Sequence, residues 1–200
     1  MSNETESFKR AFFDLPSRQF GETYVQPILY EILGDEKYKY GNEVDALRNG
    51  KLKGEYKAVR VVFPPNSKTK NKNLFDDIMS KRSMSNRIGT LKDIYSGDIV
   101  ANCQNIKMDE FDYLVYVLVD DYGYHIFEMT HAVFKRTTKN NSFPNWSPNH
   151  GREEHGRNGQ FPIKGENLSW HMKYLKKKVS WAEIVKIAKR IKYKYQKNDL

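Results

Sequence analysis

Asp45, Glu55 and Lys57 are the residues whose types and spacing could do chemistry together. Glu55 and Lys57 stand two apart in "GEYKAVRVVF", and side chains two apart on a strand leave the same face. Asp45 sits in "NEVDALR", just before Asn49-Gly50, the strongest short hairpin signal. A three-residue loop, Asn49 to Lys51, sets Asp45 opposite Glu55 on that face. A strict two-residue loop sets it opposite Gly54, on the other face. In the first register two carboxylates and an ammonium converge on one patch. Such carboxylates repel unless a cation lies between them. Hard oxygen ligands without thiolates suit Mg²⁺, which keeps several waters and shares its shell with a phosphate. A neighbouring lysine orients a water or stabilises developing negative charge. These are the parts needed to hydrolyse a phosphodiester. The plainer alternative is a surface hairpin with a solvated cross-strand ion pair.

Such a patch needs rigid elements around it. "SRQFGETYVQPILYEILGDE" predicts a helix, with Tyr24, Val25, Ile28, Leu29, Ile32 and Leu33 at helical spacing and Gly34 as the stop. "LFDDIMSKRSMSNRIGTLKDIYSGD" reads as mostly helical. The run "YLVYVLV", within a strand from about residue 112 to 119, is apolar on both faces and marks a central strand. "YHIFEMTHAVF" predicts its neighbour. Near the end, Ser180 and Glu183 form a capping box. It precedes an apolar stripe of Trp181, Ile184, Val185, Ile187, Ala188 and Ile191. The order of elements describes an α/β sandwich around a mixed sheet of about 4–6 strands.

Asp45 followed by Glu55-Tyr56-Lys57 resembles the PD-(D/E)xK nuclease motif, an Asp at one strand end before an E-x-K on the paired strand. Val44 stands where that motif has proline. Glu22, in "FGETYV", falls where members often carry a further helical Glu. The similarity covers residues 18 to 63 well and extends loosely through the strand at 112 to 119. It implies a restriction-endonuclease-like α/β/α sandwich with a central mixed β-sheet. It further implies that Asp45 and Glu55 bind Mg²⁺, that Lys57 positions or activates the attacking water, and that Glu22 assists. The implied activity is that of a type II restriction endonuclease: cutting double-stranded DNA at a specific sequence, leaving 5′-phosphate and 3′-hydroxyl ends. Cutting both strands of a symmetric site favours a homodimer. A repair or junction nuclease on the same fold, or a non-catalytic nucleic-acid-binding module, are the alternatives.

Composition fits an acidic partner. The chain of 200 residues carries a formal net charge of +9, and nucleic acid is the commonest partner of such a surface. Its length suits a single nuclease domain over residues 1–200. Within it we expect a catalytic core at about 18–134, a DNA-recognition loop region at 135–168 and a C-terminal helical segment at 169–200. Lys68, Lys70, Lys72, Arg82 and Arg87 are candidate phosphate contacts. Asn149, Arg152, Arg157 and Gln160, with Asn145, are side-chain types that read base edges. His150, His155 and His171 raise an HNH-type alternative, but lack its hairpin. A single cysteine, no apolar run of membrane-spanning length and no signal-peptide pattern in "MSNETES" point to a reducing, intracellular compartment. The resemblance to restriction endonucleases implies the cytoplasm of a prokaryotic or phage-host cell.

Overall fold

The computed structural model describes residues 1–38, 44–64, 84–107, 111–148 and 158–191. It begins with α1 (Asn3–Phe13) and α2. The latter starts at Ser17–Gln19, passes through a π-helical turn at Phe20–Val25 and continues as α-helix over Gln26–Leu33. There follow β1 (Glu36–Lys37), β2 (Ala46–Arg48), β3 (Leu52–Arg60), α3 (Leu91–Tyr95), β4 (Ala101–Lys107), β5 (Tyr113–Val119) and β6 (Gly123–Thr130). The chain ends with α4 (His131–Lys139), β7 (Asn158–Ile163), α5 (Gly165–Met172), β8 (Leu175–Ser180) and α6 (Trp181–Ala188).

All seven side chains of β5 are buried, because "YLVYVLV" has nothing to send to water. It therefore lies inside a six-stranded mixed sheet of order β1-β2-β3-β5-β6-β8, parallel to β3 and antiparallel to β6. One face carries Tyr56, Val115, Val117 and Ile126 beneath α1, α2 and α6, which contribute Phe12, Phe13, Leu29 and Trp181. The other carries Leu114, Tyr116, Leu118 and Phe127. It is covered by α4, α5 and a separate two-stranded ribbon of β4 and β7, through Cys103, Phe134, Phe161 and Leu168. The result is a mixed α/β architecture with a central sheet covered on both sides. Among the described residues, no helix is long and apolar enough to cross a membrane.

Several local expectations change. Residues 135–168 are not one long loop: α4 runs to Lys139, β7 occupies Asn158–Ile163 and α5 starts at Gly165. The strand expected over "YHIFEMTHAVF" ends at Thr130, whose hydroxyl accepts the Val133 N–H and turns "HAVF" into a helix. The C-terminal segment is not wholly helical either, since "LKKKVS" adds β8 at a sheet edge. Lysines there suit an edge strand, because charge blunts unwanted pairing. The helix after it starts with the expected Ser180–Glu183 capping box. The helix α1 carries no strong sequence cue beyond its Ser2 N-cap, and its burial comes from Phe12 and Phe13.

The hairpin is fixed to the sheet by a buried polar cluster on the first face. Arg48 forks onto the Asp35 carboxylate at 2.7 and 2.9 Å and onto Glu128, three strands away in the sheet, at 3.0 and 2.8 Å. Its guanidinium also lies 4.2 Å from the centroid of Tyr113. The hydroxyls of Tyr56 and Tyr113 both donate to Asp35. Burial pushes the Asp35 pKa up, but Arg48 and the two tyrosines more than offset it and hold the carboxyl below its ordinary value. The Asp35 side chain is fully buried. Arg48→Met leaves that carboxylate without its cation and is expected to cost about 3–5 kcal/mol in urea unfolding at neutral pH.

Candidate functional site

The hairpin adopts the three-residue loop. Ala46 pairs with Gly54 and Arg48 with Leu52, leaving Asn49, Gly50 and Lys51 between them. Asn49 and Gly50 both have positive φ (52° and 66°), which Asn and Gly tolerate best. Gly54 is needed for a different reason: a Cβ there would lie 2.5 Å from the Tyr113 ring, so only glycine lets the two strands seat over β5. Ala46 and Tyr56 belong to the first face, so alternation sends Glu55 and Lys57 to the second.

Past Ala46, β2 bends away from β3. The Asp45 N–H still reaches Gly54 O at 3.0 Å, and its carboxylate accepts the Tyr56 N–H at 2.7 Å. The side chain thus replaces the strand partner that Tyr56 loses, which meets the demand that a backbone donor be paired. Tyr30 on α2 holds the same point from the other side, its hydroxyl 2.9 Å from Asp45 O.

Glu22, Asp45 and Lys57 line one cleft of about 460 Å³, with Gln26, Lys37 and Lys107. Glu55 lies behind them, its side chain 1 % exposed. Lys57 Nζ is 2.7 Å from Glu55 Oε1, and the Lys107 N–H reaches the same oxygen at 3.3 Å. Burial raises the Glu55 pKa above its ordinary value; the Lys57 ammonium opposes this and the Asp45 charge reinforces it. Burial acts on Lys57 in the downward sense, but Glu55 and Asp45 outweigh it and hold the ammonium charged. The site is therefore a compact set of two interacting carboxylates and a cation, opening into a cleft with further lysines. Among the described residues, no group of three or more His, Cys, Asp or Glu gathers as a metal cage. A Mg²⁺–phosphate site asks less, one or two carboxylates with water and phosphate oxygens completing the shell. Oxygen donors of that kind stand at Asp45 on the cleft and at Glu55 behind it.

The chain matches no protein-family model and no curated protein. The case for function therefore rests on the cleft and on the residues around it.

The other expected residues are placed as follows. Arg87 donates to Phe63 O at 2.6 Å, beside the bridge of Val62 with Ile88. That is roughly 20 Å along the strand direction from Glu55 at about 3.3 Å per residue, so Arg87 is not brought to the cleft. Gln160 lies on β7 and not in a loop. Asn145 Nδ2 donates to Glu166 Oε1 at 3.3 Å. Lys68, Lys70, Lys72, Arg82, Asn149, Arg152 and Arg157, with His150 and His155, lie outside the described residues. His171 is fully buried, 3.0 Å from the Tyr116 hydroxyl, and burial lowers its pKa to about 3. It is a core histidine, which removes one support of the HNH-type alternative. Glu128 belongs to the Arg48 cluster, on the face away from Glu55.

Sequence reasoning missed Lys107 and Lys37. The alternation of Ala101, Cys103 and Ile106 was the available signal for β4, broken by a bulge between Cys103 and Ile106. The raised Glu55 pKa sets a pH dependence for the ion pair. A carboxyl with a raised folded pKa stabilises the fold fully below its ordinary pKa of 4.5, and that contribution is lost as pH rises through the folded value. Lys57→Met removes the cation that limits this loss. Urea unfolding is expected to show a deficit of about 3–5 kcal/mol at neutral pH that shrinks on acidification as Glu55 takes up a proton.

Proposed function

We propose that the protein is a Mg²⁺-dependent endonuclease of double-stranded DNA, of the PD-(D/E)xK type and most like a type II restriction enzyme. The observation that carries this reading is the register of the hairpin, which brings Asp45 and Lys57 to one cleft with the helical Glu22 and sets Glu55 directly behind them against Lys57. Asp45 and Glu55 would hold Mg²⁺, which when bound supplies a Lewis acid beside the scissile phosphate. Lys57, released from Glu55, faces the cleft and orients the attacking water or stabilises charge on the phosphoryl oxygens. Lys37 and Lys107 give the cleft the positive charge that a DNA backbone requires. Glu22 stands at the cleft wall as an auxiliary acceptor for water. In-line attack by water on phosphorus expels the 3′-oxygen and leaves 5′-phosphate and 3′-hydroxyl ends. A homodimer matches a two-fold symmetric site.

A second reading, a non-catalytic nucleic-acid-binding module, draws on one observation, the closed and buried Glu55–Lys57 pair. Plasmid cleavage separates the two. With Mg²⁺, the protein is expected to nick or linearise supercoiled DNA, and EDTA abolishes this. Asp45→Ala and Lys57→Ala are each expected to lower the rate by about 10²-fold or more while DNA binding persists. No cleavage of a plasmid of varied sequence, with salt-sensitive binding intact, overturns the nuclease reading. Cutting confined to branched substrates moves it to a junction nuclease.

A further inference from the structure

The ribbon of β4 and β7 has one face in the core and one face in water, and the wet face has an unusual composition. Its inner side chains, Cys103, Ile106, Phe161 and Ile163, are fully buried. Outward stand Asn102, Gln104, Asn105, Asn158 and Gln160, five amides, with Pro162 opposite Asn102 and a single charge, Lys107, at the end of the ribbon opposite Asn158. A face meant only for solvation would draw on the charged residues that dominate this surface, since Lys and Arg alone number 34 of 200.

The amides are also arranged. Asn102 Nδ2 donates to Gln160 Oε1 at 3.3 Å across the ribbon. Gln160 is held from its other side by paired backbone bonds to Ser147, both 2.9 Å. Asn105 takes positive φ (59°) at the bulge, which adds a residue to β4 opposite Gln160 and sharpens the local twist. The ribbon is continuous with the cleft: its terminal pair is Lys107 with Asn158, and Lys107 both lines the cleft and bonds Glu55 through its N–H.

We propose that this face is the base-reading surface of the protein, laid in the major groove of B-form DNA beside the bond to be cut. The major groove admits a two-stranded β-ribbon, and Asn and Gln are the side chains that pair bidentately with adenine N6 and N7. At about 3.3 Å per residue, Asn105, Gln160, Gln104 and Asn102 lie roughly 7 to 17 Å along the ribbon from the Lys107–Asn158 pair, which spans some two to five base pairs at about 3.4 Å each. Gln160 and Asn102 are the principal readers, and the recognised sequence contains A·T pairs at that distance from the cleavage point. The proposal rests on the nuclease reading for the position of the cut, but not for the readout.

The test is selection from a library of duplexes with a randomised segment. It uses the full chain in Ca²⁺, a probe that supports binding without turnover. The native protein is expected to enrich one adenine-containing sequence. Gln160→Ala and Asn102→Ala are expected to relax preference at single positions by about 5- to 150-fold while keeping affinity for unselected DNA and an unchanged melting temperature. Enrichment of no sequence, or variants that select the same sequence with the same preference, overturns the proposal. Plasmid cleavage in Mg²⁺, run beside it, keeps the two ideas apart. Selection without cutting leaves the ribbon assignment standing and removes the nuclease. Cutting with the same fragment pattern in both variants removes the ribbon assignment alone.

Discussion

The 2.7 Å hydrogen bond from the Tyr56 N–H to the Asp45 carboxylate holds the start of the hairpin against β3. It forms where β2 leaves β3, so a side chain takes over from the backbone as the strand's partner. Only an odd loop lets this happen with Asp45 on the same face as Glu55 and Lys57, and Asn49-Gly50-Lys51 supplies it. Tyr56, between those two residues, turns the other way and plants its hydroxyl on Asp35. A single tripeptide thus serves both faces of the sheet, with the Glu55–Lys57 ion pair on one and anchorage on the other.

Such an arrangement is costly, and the structure shows what offsets the cost. Glu55 is buried in surroundings that disfavour its charge, and Lys57 is its compensating cation. On the opposite face Asp35 is just as deeply placed, yet its acceptors are so well filled that its pKa falls instead. Two buried carboxylates two strands apart are therefore driven in opposite directions. The satisfied one belongs to the scaffold. The other lies directly behind the cleft, paired with Lys57.

Much of this was legible in the sequence, for reasons that can be named. The central strand showed itself because "YLVYVLV" leaves no polar face, and the last helix because Ser180 and Glu183 mark its start. The hairpin's turn was legible from Asn49-Gly50, although its register had two solutions until Arg48 was seen opposite Leu52. The ribbon was not legible. Cys103 pairs with Phe161, a partner far along the chain, and the bulge at Asn105 breaks the alternation that would have announced a strand. The Arg48 cluster was hidden similarly, since Asp35 reads as a helix-end residue and Glu128 as one polar residue in an apolar strand.

The π-helical turn at Phe20–Val25 gives α2 a property that a regular helix would lack. Such a turn accommodates an additional residue in an otherwise α-helical path. Val25 at its end and Ile28 and Leu29 downstream of it face the core, while Glu22, within it, lines the cleft. Taking out one residue there would restore the ordinary winding and rotate everything before it by about 100°. The apolar seam after the turn would stay in place, and Glu22 would swing off the wall. Glu22 within the irregular turn and Gln26 just past it thus share the cleft wall, while Val25, Ile28 and Leu29 keep to the core.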